Sequence, residues 1–241
     1  YPVNILFLVL PIFNAWVILI AAQIFLAVLF TYLFASSLGL GRASSALASL
    51  GYAFSSFLLF WLEMAIVGHT IIWLPLMLYS IQKLHSNFEK KYLLLLIFAS
   101  ITAIFSGHIQ TAIYIFIISA AFWLTKSYLG LKSTKSRVES LVFFALWVII
   151  SVLITAIQTI PMIELYVNSP LTEAFSKEVF AMYTMPFKNT LTLFAPDFFG
   201  NPATLNFWST IYGDGTPHIG VIPLFFAVFA LITSKRWEVK F

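Results

Sequence analysis

The chain contains no cysteine, which excludes disulfides and thiolate metal sites. A cysteine-free chain is compatible with either side of a membrane, so the redox compartment is left open. The four histidines include no pair at the i, i+4 spacing that a zinc-binding helix uses. A structural zinc site is therefore not expected.

Several short catalytic motifs are missing as well. Gly39 and Gly41 stand in SLGLGR without the G-x-G-x-x-G pattern or the preceding strand of a dinucleotide site. The GDG of residues 213–215 lacks the lysine of a phosphate-binding loop, and no serine has a G-x-S-x-G setting. We interpret these glycines as turns, and hydrolase chemistry is unsupported.

Charge is scarce: 9% of the residues are charged, whereas 61% are hydrophobic and 18% aromatic. The mean hydropathy is +0.97, and such a chain cannot present an ordinary polar surface to water. Residues 15–35 form an uncharged apolar run, and about 20 apolar residues cross the hydrocarbon core as a helix. The sequence predicts an integral membrane protein surrounded by lipid, with no nucleic-acid partner.

The apolar segments predict an all-α bundle of about seven membrane-spanning helices. The predicted ranges are 14–36, 43–62, 65–83, 91–107, 109–127, 138–160 and 217–234. Residues 1–11 are apolar but too short to cross, so we interpret them as interfacial or re-entrant. We expect residues 1–241 to form a single transmembrane domain cut from a longer chain.

The basic residues predict the orientation, because short loops rich in lysine and arginine stay in the cytoplasm. If the seven helices alternate, eleven of the thirteen basic residues fall on one side. Only Lys177 and Lys188 fall on the other side. The loops 36–43, 83–91 and 126–138 and the C-terminus are therefore assigned to the cytoplasmic side of a cell membrane.

One long extracytoplasmic loop, residues 161–217, is predicted between the last two helices. It is longer than a bundle needs for a simple connection. Turn motifs such as APDFFGNP and YGDGTP interleave with aromatic residues, which is typical of a loop folded on the membrane surface. Most acids and three of the four histidines also fall outside, namely Glu63, Glu164, Glu173, Glu178, Asp197, Asp214, His69, His108 and His218.

The stretch SGHIQTAIY, residues 106–114, puts polar residues between two apolar segments. Gly107 suits a tight outward turn, and His108 and Gln110 then lie near the outer interface. These two side chains either satisfy the turn backbone or line a polar cavity. Other residues expected at the outward helix ends are Glu63, His69, Gln158 and Glu164, with Asp197 and Asp214 above them. A labile Mg²⁺ or Mn²⁺ on Asp197 or Asp214, shared with a substrate phosphate, is compatible with this set.

Five segments, taken in order, resemble the bacterial YfhO-type membrane proteins, which are similar to the GT-C superfamily of glycosyltransferases. The segments are GYAFSS (51–56), GHTIIWLPLML (68–78), SGHIQTAIY (106–114), QTIPMIEL (158–165) and PDFFGNP (196–202). The resemblance covers most of the chain, and its distinctive parts are the Gly-His-x-Gln turn and the Pro-Asp-Phe-Phe-Gly loop.

The resemblance implies an enzyme that transfers a sugar from a polyprenyl-phosphate donor to a cell-envelope acceptor, with its active site in the outward loops. It implies catalytic roles for His108, Glu164 and Asp197. Substrate-binding roles fall to Glu63, His69, Gln110, Lys177, Lys188 and Asp214. Two departures are that Ile109 stands where the turn usually has proline, and that the catalytic acid of such enzymes typically lies upstream of Tyr1.

Two other functions are open. A transporter or lipid flippase has polar residues near bundle ends too, but it places its site near the membrane midplane, where this sequence is nearly uncharged. A structural membrane subunit is the third reading, and the acidic, aromatic loop argues against it. The sequence leaves the sugar, the acceptor, any metal requirement and the oligomeric state open.

Overall fold

The computed structural model describes residues 1–62, 64–87, 89–131, 133–169, 184–209, 212 and 215–241. Within these ranges the secondary structure is helical and there is no strand, so the all-α prediction is confirmed there. The chain divides into two compact units. The first unit is Tyr1–Leu50 with Leu62–Ile157, and the second unit is Gly51–Trp61 with Gln158–Phe241. The prediction of a single domain stays a prediction.

The described residues form a series of long and short α-helices. In chain order they are α1 Leu6–Val9, α2 Ile12–Ser37, α3 Arg42–Ala53, α4 Ser56–Phe60, α5 Val67–Ile71, α6 Trp73–Asn87, α7 Lys90–Phe105, α8 Ile109–Gly130, α9 Thr134–Val167, α10 Val221–Thr233 and α11 Trp237–Lys240. Short 3-10 helices cover Pro2–Ile5, Phe187–Leu193 and Pro202–Thr204.

Among the described residues, three helices are long and apolar enough to cross a membrane: α2, α8 and the Ser136–Val167 part of α9. Their apolar windows have mean hydropathies of 2.5, 1.5 and 2.7, and each window is mostly exposed. Exposed apolar helix surface is what lipid covers. The membrane location is therefore supported by the helices, while the count of seven spans stays a prediction.

Two predicted helices are divided in the structure. The segment 43–62 breaks after Ala53, because Ser55 accepts a hydrogen bond from the backbone N–H of Leu58 at 3.4 Å and so caps the new helix α4. The segment 65–83 begins at Ala65, which has a φ of +50°, and it divides at Ile72 into α5 and α6. Hydropathy does not register either break, because the residues at the breaks are small or apolar.

The last long helix runs past its predicted end. Helix α9 continues through Pro161 to Val167, so the connection predicted to begin at 161 begins after the helix. Much of the rest of that connection, 170–183, lies outside the described residues. The long loop as a whole therefore stays a prediction.

The interior of the first unit is held by aromatic side chains and buried hydroxyls. Trp123 and Trp147 are 1% and 0% exposed, and their rings stack with centroids 5.9 Å apart. The Trp147 indole donates to Ser100 Oγ at 2.8 Å, and the Trp123 indole donates to Ser140 Oγ at 2.9 Å. Packing and interhelical hydrogen bonds are the forces available to helices in lipid, where burial drives association little.

A second polar contact fixes the register of α2 against α6 and α8. Gln82 donates from Nε2 to the carbonyl oxygen of Ser37 at 3.4 Å, and its Oε1 accepts from Lys126 Nζ at 2.5 Å. Both ends of the amide are thus partnered. This contact lies at the end of α2 that the basic residues assign to the cytoplasm.

The second unit folds the segment after Pro186 into a compact body. The carbonyl oxygen of Gly215 accepts from Asn189 Nδ2 at 3.2 Å and from Thr192 Oγ1 at 3.0 Å. The His218 ring donates from Nδ1 to the carbonyl oxygen of Leu193 at 2.8 Å. The carbonyl of His218 in turn accepts from the backbone N–H of Ser56 at 2.8 Å, so this body is tied to the start of α4.

Candidate functional site

The GHT and SGH motifs meet in the first unit. Thr70 Oγ1 and Ser106 Oγ are 2.8 Å apart, and either can be the donor. Both residues are buried. This pair joins α5 to the turn between α7 and α8, so it brings His69 and His108 to the same end of the unit.

The turn itself has the geometry that the sequence predicts. Gly107 has a φ of +99°, a value that side-chain-bearing residues rarely adopt. His108 is the N-cap of α8, and its Nδ1 accepts from the backbone N–H of Thr111 at 3.3 Å. The hydroxyl of Thr111 lies 2.7 Å from the same nitrogen. The interpretation of His108 as a residue that satisfies the turn backbone is confirmed.

This cap also determines what the other ring nitrogen can do. Because Nδ1 accepts a backbone hydrogen bond, it carries no proton, and the neutral His108 ring then carries its proton on Nε2. Nε2 is therefore a hydrogen-bond donor. A donor at this position is suited to an anionic oxygen, such as that of a phosphate.

Gln110 is placed differently from His108. It is exposed on the first turn of α8, and its Nε2 donates to the hydroxyl of Tyr114 at 2.8 Å, one turn further on. It is not a member of the hydroxyl pair that joins the two motifs. Its predicted role in binding substrate stays a prediction.

His69 is buried on α5, at 3% exposure. The ring of Tyr1 stacks on it with centroids 5.0 Å apart and planes 16° from parallel. Its Nε2 is buried without a hydrogen-bond partner in the described part of the chain. A buried polar atom left in this way is costly and needs an explanation.

Gln23 is the residue that the sequence analysis missed. It is 2% exposed, and neither Oε1 nor Nε2 of its amide has a partner among the described residues. A Cβ atom added at Gly68 would collide with this amide, so glycine lets Gln23 approach the backbone next to His69. The available signal was a glutamine inside the charge-free run 15–35.

The depth of Gln23 follows from two contacts along α2. The carbonyl oxygen of Ser37, at the end of α2, accepts a hydrogen bond from Gln82. Further toward the start of α2, the amide of Gln23 lies against Gly68. These α2 positions are fourteen residues apart, which is about 21 Å at 1.5 Å per residue. If Ser37 marks one boundary of a hydrocarbon core about 30 Å thick, Gln23 lies about 9 Å short of the other boundary.

In the second unit, Asp197 belongs to a small hydrogen-bonded group. Its Oδ1 accepts from the Tyr212 hydroxyl at 2.9 Å and from Asn201 Nδ2 at 3.2 Å. Asn201 Nδ2 also lies 2.8 Å from the Tyr212 hydroxyl oxygen. Burial raises the pKa of Tyr212, and the hydrogen bond to Asp197 raises it further. The carboxylate is exposed and held in place through one oxygen.

The loop around Asp197 is rigid for identifiable reasons. Phe199 is 4% exposed and packs against Trp208 with centroids 4.9 Å apart. A Cβ atom at Gly200, whose φ is +81°, would collide with the carbonyl of Asn206. The ammonium of Lys188 lies 5.4 Å from the centroid of the Phe199 ring, a cation–π distance. Lys188 and Asp197 therefore belong to one folded segment.

Of the remaining predicted site residues, the structure describes Glu164. Glu164 is exposed near the end of α9, where its backbone carbonyl accepts from Asn168. Glu63, Lys177 and Asp214 lie outside the described residues.

Of the two carboxylates predicted to hold a metal ion, Asp197 and Asp214, the structure describes Asp197. They contain no group of three or more His, Asp or Glu side chains that could hold an ion. Asp197 uses Oδ1 for its hydrogen bonds, which leaves Oδ2 as a ligand. Mg²⁺ is commonly held by one or two carboxylates together with substrate phosphates, so Asp197 fits only a shared, labile ion.

The chain is similar to one known family of proteins along nearly its whole length. The family described as "Bacterial membrane protein YfhO" matches residues 1–240. No curated protein and no solved structure matches the chain.

Proposed function

Because the chain belongs to the YfhO family of bacterial membrane proteins, we propose that it is a membrane glycosyltransferase. It moves a sugar from a polyprenyl-phosphate donor to a cell-envelope acceptor on the extracytoplasmic side. The observation that carries this proposal is the 2.8 Å contact between Thr70 and Ser106. It brings two histidines of separate motifs to one end of the first unit.

His108 interacts with the donor phosphate. In this role its Nε2–H donates to a phosphate oxygen, which becomes more negative as the sugar departs. Donors aimed at developing charge are the largest single contribution in many enzymes. The predicted phosphate contacts of Lys177 and Lys188 and a shared Mg²⁺ or Mn²⁺ would add to this stabilisation.

A carboxylate takes the proton of the acceptor. The acceptor oxygen attacks the anomeric carbon, the bond from that carbon to the phosphate oxygen breaks, and the acceptor proton passes to the base. Asp197, which lies in the second unit, is the first candidate on its local geometry alone, because Tyr212 and Asn201 donate hydrogen bonds to its Oδ1. Glu164 is the second. A base upstream of Tyr1 is the third, as the resemblance implies.

Transfer is tested with the purified protein in proteoliposomes that contain radiolabelled polyprenyl-phosphate sugars. The informative variants are His108→Ser and His108→Ala. Serine is a good N-cap, so His108→Ser keeps the start of α8 while removing the Nε2 donor. We expect both variants to lose about 10²-fold or more of the transfer rate, and Asp197→Ala to do the same.

Ser86→Ala is the matched control, since Ser86 is exposed and bonds only within its own helix. If His108→Ser transfers sugar at the wild-type rate and His108→Ala does not, His108 acts only as the N-cap of α8 and does not bind the phosphate. Unchanged transfer in His108→Ala and Asp197→Ala would refute the site.

The side of the membrane can be tested separately, because the chain has no cysteine. Gln110→Cys and Ser86→Cys each introduce one thiol at an exposed position of the first unit. In intact cells an impermeant maleimide should label Gln110→Cys and spare Ser86→Cys. If Ser86→Cys is labelled and Gln110→Cys is not, the orientation is opposite to the predicted one, and an extracytoplasmic site is excluded.

Transport of a lipid-linked sugar is a second candidate, and one observation favours it. Gln23 and His69 are polar, buried and below the expected outer boundary, beside the short helix α5. Transporters place their sites between interrupted helices inside the membrane. Movement of a labelled lipid between leaflets without formation of a glycosylated product would establish this candidate.

A further inference from the structure

Gln23 and His69 leave three polar atoms unpartnered in the described part of the first unit: Gln23 Oε1, Gln23 Nε2 and His69 Nε2. Both side chains are more than nine-tenths buried, so water at the surface does not satisfy them. A helix in lipid can hardly tolerate such atoms without a partner. Polar residues kept at this depth are functional by default.

The local backbone favours this arrangement. Gly68 leaves room for the Gln23 amide, which a side chain would displace. The neighbouring Thr70 and Ser106 pair fixes α5 against the turn that carries His108. The Gln23 amide therefore lies against α5, which also carries His69, and α5 is joined by Thr70 to the turn that carries His108.

The chemistry of the pair selects a neutral ligand. An amide offers one acceptor and two donors, and an imidazole nitrogen offers one more bond. The buried polar residues of the described ranges include no lysine, arginine, aspartate or glutamate. A phosphate would enter without a counter-charge, at a high desolvation cost. A hydroxyl group, which donates and accepts, satisfies these atoms.

We propose that Gln23 and His69 bind hydroxyl groups of the sugar carried by the lipid-linked donor. This assignment rests on the proposed glycosyltransferase function, and it separates two parts of donor recognition. His108 interacts with the phosphate, and the Gln23–His69 pair interacts with the sugar.

The test measures the thermal midpoint of the purified full-length protein with two kinds of lipid. One is sugar-free undecaprenyl phosphate, and the other is a panel of hexosyl and N-acetylhexosaminyl undecaprenyl phosphates. A ligand that binds the folded state raises the midpoint, and the rise at a given ligand concentration is larger when the ligand binds more tightly. Wild type should be stabilised more by one member of the panel than by the sugar-free lipid.

Gln23→Met removes the amide and keeps an unbranched side chain of similar length. It should raise the midpoint of the unliganded protein, because it removes unpaired buried polar atoms. It should weaken the sugar-dependent binding about tenfold and leave the response to sugar-free lipid unchanged. His69→Phe, which keeps a ring for Tyr1 to stack on, should weaken it likewise.

Gln82→Met is the matched control, since both ends of the Gln82 amide are partnered. It should lower the unliganded midpoint and leave the sugar-dependent binding unchanged.

Three results would overturn the proposal. If wild type prefers a sugar-bearing lipid and Gln23→Met and His69→Phe retain that preference, the pair does not bind sugar, and the transferase proposal survives. If Gln23→Met lowers the unliganded midpoint as Gln82→Met does, the amide is a structural hydrogen-bonding group. If wild type does not distinguish the lipids, the proposed function and this inference fail together.

Discussion

Replacing Ser140 by alanine should destabilise the first unit through one identifiable atom. Ser140 is 0% exposed, and its Oγ accepts from the Trp123 indole at 2.9 Å. It also lies 2.7 Å from Ser127 Oγ and 3.2 Å from His85 Nε2. Ser127 Oγ and His85 Nε2, which are 2.8 Å apart, remain hydrogen-bonded to each other after the substitution. Only the Trp123 N–H loses its acceptor.

An unsatisfied buried donor costs about 1–3 kcal/mol. Taking about 2 kcal/mol, and about 2–4 °C per kcal/mol for a chain of this size, the midpoint should fall by about 4–8 °C. Thermal unfolding in detergent micelles, followed by tryptophan fluorescence, measures the change. Exposed Ser86→Ala should shift the midpoint by much less.

A double-mutant cycle separates this cause from a general packing defect. In a Trp123→Phe background the donor is absent, so Ser140→Ala should cost clearly less than it does in wild type. An equal fall in both backgrounds, or a fall no larger than that of Ser86→Ala, would refute the reasoning.

Three further substitutions follow from the backbone and from Tyr212. Gly107→Ala should lower the free energy of unfolding by about 1–2 kcal/mol, because its φ of +99° is strained for alanine. No atom lies within 4 Å of the added Cβ, so a steric clash does not contribute. An unchanged free energy in denaturant unfolding would contradict this backbone strain. Gly200→Ala should abolish the local fold, since the Cβ collides with the Asn206 carbonyl, and limited proteolysis at that loop should increase. The raised pKa of Tyr212 means that its contribution to stability is complete below the unfolded value of 10.0 and is lost as pH rises through the folded value. In Asp197→Asn, carbon-13 tyrosine spectra should show this pKa lowered but still above 10.0, because burial is the larger cause; an unchanged value would exclude an effect of the Asp197 charge on Tyr212.

Much of the helical architecture could be predicted from hydropathy. The range 14–36 became α2, Ile12–Ser37, and 109–127 became α8, Ile109–Gly130. Continuous apolar runs allow few alternatives in lipid, because every backbone group must be paired within the helix. Hydropathy did not predict the helix boundaries near Ser55 and Ala65. Ser55 caps the start of α4, and Ala65 has a positive φ.

The candidate site could be predicted only in part. SGHIQ indicated the turn and the position of His108, because glycine and a polar N-cap are local signals. Gln23 was missed, since its significance depends on Gly68, 45 positions away in the chain. The support of Asp197 by Tyr212 was also missed, because it depends on how the loop folds.

The amino-acid sequence alone determined the membrane environment, the helical class and the tight turn at Gly107, because composition and local conformational preference need no distant partner. The tertiary structure decided which polar side chains meet. Thr70 and Ser106 are hydrogen-bonded, and Tyr212 donates a hydrogen bond to Asp197. Gln23 lies beside Gly68, and its amide has no hydrogen-bonding partner among the described residues. These outcomes depend on the packing of segments far apart in the chain, and no local pattern encodes them.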